Sequence, residues 1–331
     1  MVSTAWFSTP TTWIIRRSVI YERFNKVTDD RIVSSLIGMP KAKFTLLVAA
    51  FQAADVAIDQ ERVQNGEIKH VKLGGPKGNL DSYEKKLFFV LYYLKTYPTF
   101  DVLGVHFGFS GGHAHAHIDR LLPVLGRTLT SLNLMPERAV TTPHEFSQLV
   151  EKYKNIAIDG VECACVRPQD QTEQKEYYSG KKRHTLKSLV ISDFNRRILL
   201  LCCVVAGSIH DYKLMKTVFK PGLAWFKKVN LWLDLGFLGA DKDYKNTKIY
   251  LPHKKPRKSK NNPDPTLTPE QNKQNKEQAA MRVVVEHAIG GMKFFHCLMH
   301  RIRNHLDTFV DYFFSLSAGL WNYKISEFTI T

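Results

Sequence analysis

Hydrophobic positions divide the chain into two textures. Over residues 32–58, "IVSSLIGMPKAKFTLLVAAFQAADVAI", they recur at helical spacing, with a break around Gly38 and Pro40. A polar, basic, Gly-rich stretch, "NGEIKHVKLGGPKGNLDS", reads as a linker. Beyond it, "YEKKLFFVLYYLKTYPTFDVLGVHFGFSGGHAHAHIDRLLPVLGRTL" predicts a long helix ending before Pro98 and a short helix over 99–107. A tight turn at "GFSGG" and a helix over about 111–125 follow. Gly111 and Gly112 each disfavour a helix interior by about 1 kcal/mol relative to Ala, which favours a start at His113.

After about residue 140 the period changes. "NIAIDGVECACV", "HTLKSLVISD", "RRILLLCCVVAGSIHD", "KVNLWLDLGFLG" and "KIYLPH" predict strands, separated by turns or by one helix around 211–219. A charged insertion, "KKPRKSKNNPDPTLTPEQNKQNKEQ", carries no core pattern. Helices over about 275–295 and 307–323 close the chain. Strands followed by helices give an α/β domain, and no internal repeat is visible.

Two short helices joined by a Gly-containing turn form a helix-turn-helix pattern, whose second helix usually enters the major groove of DNA. A plain helical hairpin has the same pattern, so charge decides. Lys plus Arg minus Asp plus Glu is 47 − 31 = +16, which points to a polyanionic partner, nucleic acid ahead of a membrane surface. Arg16 and Arg17 cut the first apolar run short of a signal peptide or membrane span, so a cytoplasmic protein without membrane attachment is expected. The cysteines at 163, 165, 202, 203 and 297 are odd in number and read as free thiols. The i,i+4 histidines of "HAHAH" (113–117) and "HCLMH" (296–300) lack a second ligand pair for a metal.

Three acids stand out. Asp159 ends an apolar strand just before a Gly, and Asp234 does the same after "VNLWL". Desolvating an ionised carboxylate is costly unless it is paired or binds a metal, so the two are candidate co-ligands; each equally fits a surface turn. Glu286 is the third. At about 100° per residue, Arg282, Glu286 and Lys293 fall within roughly 40° of one helix face, beside an apolar stripe of Met281, Val285, Ala288, Met292 and Phe295. An ordinary i,i+4 ion pair gives the same spacing. Glu162 has the opposite strand parity to Asp159, and Asp241 and Asp243 lie beyond the Gly236/Gly239 turn, so these acids fit less well.

The order Asp159, Asp234, Glu286, with Glu286 inside R-x3-E-x6-K (Arg282, Glu286, Lys293), resembles the DDE signature of bacterial insertion-sequence transposases. "YYSGKKRHTLK" (177–187), "GSIHDYKL" (207–214), "DLGFLG" (234–239), "LPHKKPR" (251–257) and "RVVVEHAIGG" (282–291) resemble the branch related to PIF/Harbinger elements. "LKTYPTFDVLGVHFGFS" resembles the helix-turn-helix ahead of their catalytic domain. The resemblance runs from about residue 32 to 323. It departs from the family at Ala279, where the wider signature has Tyr, and at "GGHAHAH", where relatives more often carry polar and basic residues.

The resemblance implies an irregular extension over 1–30 and an all-α DNA-binding domain over 31–140, with its helix-turn-helix at about 99–125. Over 145–331 it implies an α/β ribonuclease H-like catalytic domain, a mixed sheet flanked by helices. Asp159, Asp234 and Glu286 are then the catalytic residues and the ligands of two Mg²⁺ ions, with Mn²⁺ able to substitute. Lys293 contacts phosphate near the cleaved end, and Arg282 does likewise or orients Glu286. Lys181, Lys182, Arg183 and Lys187, with Lys254, Lys255, Arg257 and Lys258, are expected on the DNA backbone. His113, His115 and Arg120 face DNA from the second helix of the motif. His210 and Asp211 either support the ligands from behind or cap the next helix. The implied activity is cut-and-paste transposition on double-stranded DNA, at the element's terminal inverted repeats and a target. A homodimer or larger synaptic assembly would perform it, in the bacterial cytoplasm and on the nucleoid. A domesticated DNA-binding relative without strand transfer, and a nuclease of the same fold, are the alternatives.

Overall fold

The computed structural model describes residues 19–71, 78–245, 247–260, 262–304 and 307–327. Most of the expected N-terminal extension lies outside this set. Where it is described it is helical: α1 spans Val19–Lys26, and Tyr21 and Phe24 are buried, each against the Phe88 ring. Two aromatic residues three apart supply the apolar face that the expectation of an irregular segment overlooked.

Helices α2 (Asp30–Ile37) and α3 (Lys41–Gln64) break where the sequence places the break. Gly38 adopts φ +86°, and a Cβ there would lie 2.4 Å from Phe295 Cε1, so conformation and space both demand glycine. Next come α4 (Tyr83–Thr96), α5 (Phe100–Phe107) and α6 (Gly111–Ser131), capped by Ser82, Thr99 and Ser110 respectively. Helix α6 therefore starts at Gly111, not His113. A Cβ at Gly111 would come 2.1 Å from Asp101 Oδ1, and one at Gly104 would come 2.7 Å from the Phe109 carbonyl, so both glycines let α5 and the turn close on α6. The helix also runs six residues past 125, because Thr128 and Leu129 continue its buried face. A short α7 (Pro143–Leu149), capped by Thr142 with Pro143 in its first turn, follows.

Six strands form one mixed sheet: β1 (Asn155–Ala164), β2 (Thr185–Asp193), β3 (Ile198–Leu201), β4 (Val205–Ala206), β5 (Asn230–Trp232) and β6 (Lys248–Tyr250). The order is β3-β2-β1-β5-β6, with β4 also on β2. Pairings from β3 to β1 are antiparallel, and those among β1, β5 and β6 are parallel. Helix α8 (Gln171–Tyr177) interrupts the β1–β2 connection, while α9 (Asp211–Val218) and the short α10 (Ala240–Asp243) flank β5 in sequence. Then come α11 (Pro269–Lys293), α12 (His296–Met299) and α13 (Asp307–Ile325). Helix α11 begins six residues before the expected start. Thr268 and Gln271 form a reciprocal capping box and Pro269 opens the first turn, so the end of the charged insertion is helix without a core face.

Alternation along β1 sets the two layers. Ala157, Val161 and Cys163 share a core with Val285, Ala288 and Met292 of α11, whereas Ile156 and Ile158 share the opposite core with Leu214 and Met215 of α9. This is the mixed sheet flanked by helices that the family resemblance implies. The first core continues without a break into α1–α6, joining Phe88, Tyr93 and Leu125 to Phe295, Phe313 and Leu316. The expected boundary at 140–145 thus marks a change of secondary structure, while one core serves both sides. Among the described residues, no single helix is long and apolar enough to cross a membrane.

Candidate active site

Asp159 is not at a strand end. It lies in the middle of β1, paired with Val190 of β2, because β1 stays on β2 as far as Ala164. What ends near it is the pairing with β5, whose last partners are Ala157 and Trp232. Asp234 follows Trp232, the last residue of β5, by two residues, as Asp159 follows Ala157 by two, so Asp234 lies just past the end of β5 where its pairing with β1 stops. By the alternation of β1, Asp159 shares the face on which α11 packs, and Glu162 takes the other.

Burial pushes the Asp159 carboxyl up to about 6. The Gly160 N–H, donating over 2.7 Å, and the Arg282 charge act against this, while Asp234 and Asp211 add to it. Asp234 opens a single 3-10 turn (Leu235–Phe237) without a side-chain cap bond, which leaves its carboxylate facing outward. Arg282 meets it there: Nη2 lies 3.4 Å from Asp234 Oδ1 and 3.2 Å from Glu286 Oε1, one turn along α11. The Arg282 side chain is 14% exposed, against 44% for Asp234 and 51% for Glu286, so the guanidinium is the anchored partner. Its buried Nε has no hydrogen-bond partner among the described residues. The structure thus brings Asp234 and Glu286 onto one cation, whose charge also acts on Asp159.

Three hard carboxylates suit a small divalent ion, and a positive group already sits between two of them. As the side chains stand, no three His, Cys, Asp or Glu residues among those described are gathered closely enough to hold an ion. Asp234 and Glu286 are half-exposed and turned on Arg282. Burial pushes the Cys163, Cys202 and Cys297 thiols up to about 12 and that of Cys165 to about 11, which keeps them protonated, in line with their reading as free thiols. Only Cys203 is exposed among the described cysteines.

Several expected DNA contacts are engaged inside the protein. Lys293 donates 2.7 Å to the Glu162 carbonyl and so ties α11 to β1. Lys187 is buried, donates to the Ile209 carbonyl and lies 2.9 Å from Asp211 Oδ1; its place on the expected backbone surface is corrected to an internal strut. The reason is pairing: Lys187 stands opposite Glu162 and shares its face toward α9. Lys181 pairs with Glu162 at 3.1 Å. His115 is half-buried between Phe100 and Phe309, its ring stacked on the latter, so much of its surface is taken up by packing. Arg120 pairs with buried Asp55 at 2.8 Å and with Asp59. His113, Lys182, Arg183, Lys254, Lys255, Arg257 and Lys258 remain exposed.

His210 caps α9, its Nδ1 accepting the Tyr212 N–H. Asp211 stands behind the two acids: its oxygens lie 2.7 Å from the position of a Cβ at Gly160 and 3.7 Å from one at Gly236. Sequence reasoning missed the clamp at Glu162, whose carboxylate accepts from Thr185 and Lys181 and whose carbonyl holds Lys293. Its even parity in β1, opposite that of Asp159, was the available signal.

Residues 158–322 match the model of the DDE superfamily endonuclease family, and residues 78–131 match that of the helix-turn-helix of DDE superfamily endonuclease. The second range takes in α4, α5 and α6. Over 247 residues the chain is 29% identical to the "Probable transposase for insertion sequence element IS702" of Microchaete diplosiphon, covering 73% of this chain and 81% of that protein. No solved structure matches it. With one acid on β1, another just past the end of β5, its glutamate on the facing helix and its three-helix segment ahead of the sheet, the chain belongs to the DDE superfamily of endonucleases and carries that superfamily's helix-turn-helix.

Proposed function

We propose that the protein is a DNA transposase that binds the terminal inverted repeats of its own element and carries out both strand cleavage and strand transfer. The observation that carries this reading is the pairing of Asp234 and Glu286 with Arg282, whose charge also acts on Asp159 in the middle of β1. The similarity to a transposase over most of both chains supports it. Asp159, Asp234 and Glu286 would hold two Mg²⁺ ions. Such ions polarise a phosphodiester and activate a water or a 3′-hydroxyl for in-line attack.

The chain's own residues perform the remaining work. Asp159 is fixed by the sheet and by the Gly160 N–H, so it is the rigid member of the set. Glu286 is exposed on α11 and moves to meet a substrate. Arg282, once released from the acids, is placed to take a phosphate. Lys182, Arg183, Lys254, Lys255 and Arg257 supply exposed charge for the DNA backbone, which binds without reading sequence. Helix α6 offers His113 on its outer face as a groove contact. Two element ends must be cut in concert, and a homodimer or larger assembly would bring them together.

The test is incubation of the purified protein with DNA carrying its element ends, in Mg²⁺, with strand cuts and joints mapped. Asp159→Asn, Asp234→Asn and Glu286→Gln are each expected to abolish both. Cutting and joining at the parental rate by any of the three would remove that residue from the site. Binding of the ends with no cut by the parent would favour a DNA-binding relative, and cuts without joints would favour a nuclease.

A further inference from the structure

The β1–β2 connection builds a second site that the acids do not use. A cavity of about 660 Å³ is lined by Arg167, Gln169, Gln171, Lys175, Tyr178 and His184, together with Gln174. This lining contains two cations, three amides and two aromatic rings, and no carboxylate. Tyr178 is 50% exposed and meets His184 edge to face at 5.5 Å. Arg167 is preset: its Nε and Nη2 both donate to Gln174 Oε1, while Gln174 Nε2 donates to the Pro168 and Gln169 carbonyls. One guanidinium edge is thereby held in place.

A basic turn rises directly from the walls of this cavity. Tyr178 and His184 are bridged, the Ser179 N–H donates to the Arg183 carbonyl, and Lys182 sits at φ +57° at the tip. Lys181 is tied to Glu162, but Lys182 and Arg183 have no carboxylate partner among the described residues. A turn of cations beside an aromatic and amide pocket combines an electrostatic funnel with a stacking platform. Backbone contact alone needs only the charges. Donors and acceptors set around an exposed ring suit the edge and face of a base that has left its stack. Arg167 lies eight residues beyond Asp159 along the same chain segment. At about 3.3 Å per residue, Ala164 at the end of that strand is already roughly 16 Å from Asp159, or about five steps of a B-form strand.

We propose that this pocket takes an unstacked DNA base near the cleavage site, with Tyr178 as the stacking face and Arg167 reading the base edge. The inference rests on the reading of the chain as a protein that acts on DNA, and it assigns that protein a single-strand subsite.

The test uses fluorescence anisotropy with three probes of about twelve nucleotides, a length within known single-strand sites. These are a mixed-sequence single strand, the same strand with abasic positions throughout, and the matching duplex. Tyr178→Ala is expected to weaken the single strand about tenfold, with Tyr178→Phe near the parent, and to change the abasic strand and the duplex less than twofold. Matching thermal melts of both variants exclude misfolding. Unchanged single-strand binding, or an equal loss on all three probes, overturns the pocket. If Tyr178 governs single-strand binding and the parent cuts no DNA, the pocket stands and the transposase reading falls. If the parent cuts its ends while Tyr178→Ala binds single strands like the parent, the reverse holds. Binding of none of the probes sinks both.

Discussion

Lys95 Nζ donates 2.7 Å to the carbonyl of Phe294, the C-cap of α11, and lies 3.4 Å over the Phe294 ring. The helix bearing Arg282, Glu286 and Lys293 is therefore capped by a cation from α4, inside the segment matched to the helix-turn-helix family. Lys43 of α3 does the same for α13, donating to the Tyr323, Lys324 and Ser326 carbonyls. Helices α3 and α4 thus form one packed body with α13 and with the helix that carries the glutamate.

Burial, aided by Lys324, lowers Lys95 to about 8. A lysine so shifted sheds its proton more readily when folded. The cost of holding it charged is fully present below pH 8 and is relieved as pH rises toward the unfolded value of about 10.4. Parent stability is expected to gain roughly 1–2 kcal/mol relative to Lys95→Met between pH 7.5 and 9.5. Thermal melts of the two proteins at both pH values measure this, and a Tm difference that is independent of pH would refute it.

For Asp159 the sign runs the other way. Its folded value of about 6 exceeds the ordinary carboxylate value, so the folded chain keeps a proton that the unfolded chain has lost between about pH 4 and 6. Stability falls across that window, and the full cost remains above it. In EDTA at pH 7.5, Asp159→Asn is expected to be more stable than the parent by on the order of 1–2 kcal/mol, with the gap closing near pH 4.5. Adding Mn²⁺ at pH 7.5 is expected to raise the parent's Tm and leave the variant's unmoved. A variant no more stable than the parent in EDTA at pH 7.5 would contradict the burial argument.

Arg282 occupies the space between Asp234 and Glu286, so it competes for the acids with any divalent ion. Arg282→Ala is expected to destabilise the protein modestly in EDTA, by on the order of 1 kcal/mol, since both partners are half-exposed and solvent-screened. The same variant is expected to bind Mn²⁺ more tightly than the parent by calorimetry, because the internal competitor is gone. Weaker or equal Mn²⁺ binding would show that the guanidinium helps to assemble the acids rather than standing in for an ion.

Much of this site is written in local spacing, and what is not local was hard to read. Asp234 after an apolar run, and Glu286 four residues after Arg282, are short-range patterns that the structure places together as expected. The position of Asp159 within β1 was misread because strand length depends on β2, a partner some thirty residues away that holds the chain to Ala164. Lys187 looked like a free cation in a basic run, and only its pairing opposite Glu162 shows that it points inward to Asp211. His115 likewise needed Phe309, far along the chain, to become a packing residue. Helix starts were more legible than the reading used: Thr268, Pro269 and Gln271 spell a cap that places α11 six residues earlier.

Two adjacent glycines near the end of α11 give a last contrast. Gly290 is exposed, with nothing within 4 Å of a Cβ placed on it, whereas a Cβ on Gly291 would lie 2.2 Å from the Trp321 ring of α13. Gly290→Ala is expected to stabilise the protein by about 0.5–1 kcal/mol, through helix propensity and the restricted unfolded chain. Gly291→Ala carries the same propensity gain but must push α11 and α13 apart or turn Trp321 out, a net loss of about 1–3 kcal/mol. Trp321 also donates to the Arg196 carbonyl, so displacing it loosens the β2–β3 turn as well. Denaturant unfolding of both variants measures the pair. Equal effects of the two substitutions would mean that α11 and α13 do not approach through Gly291.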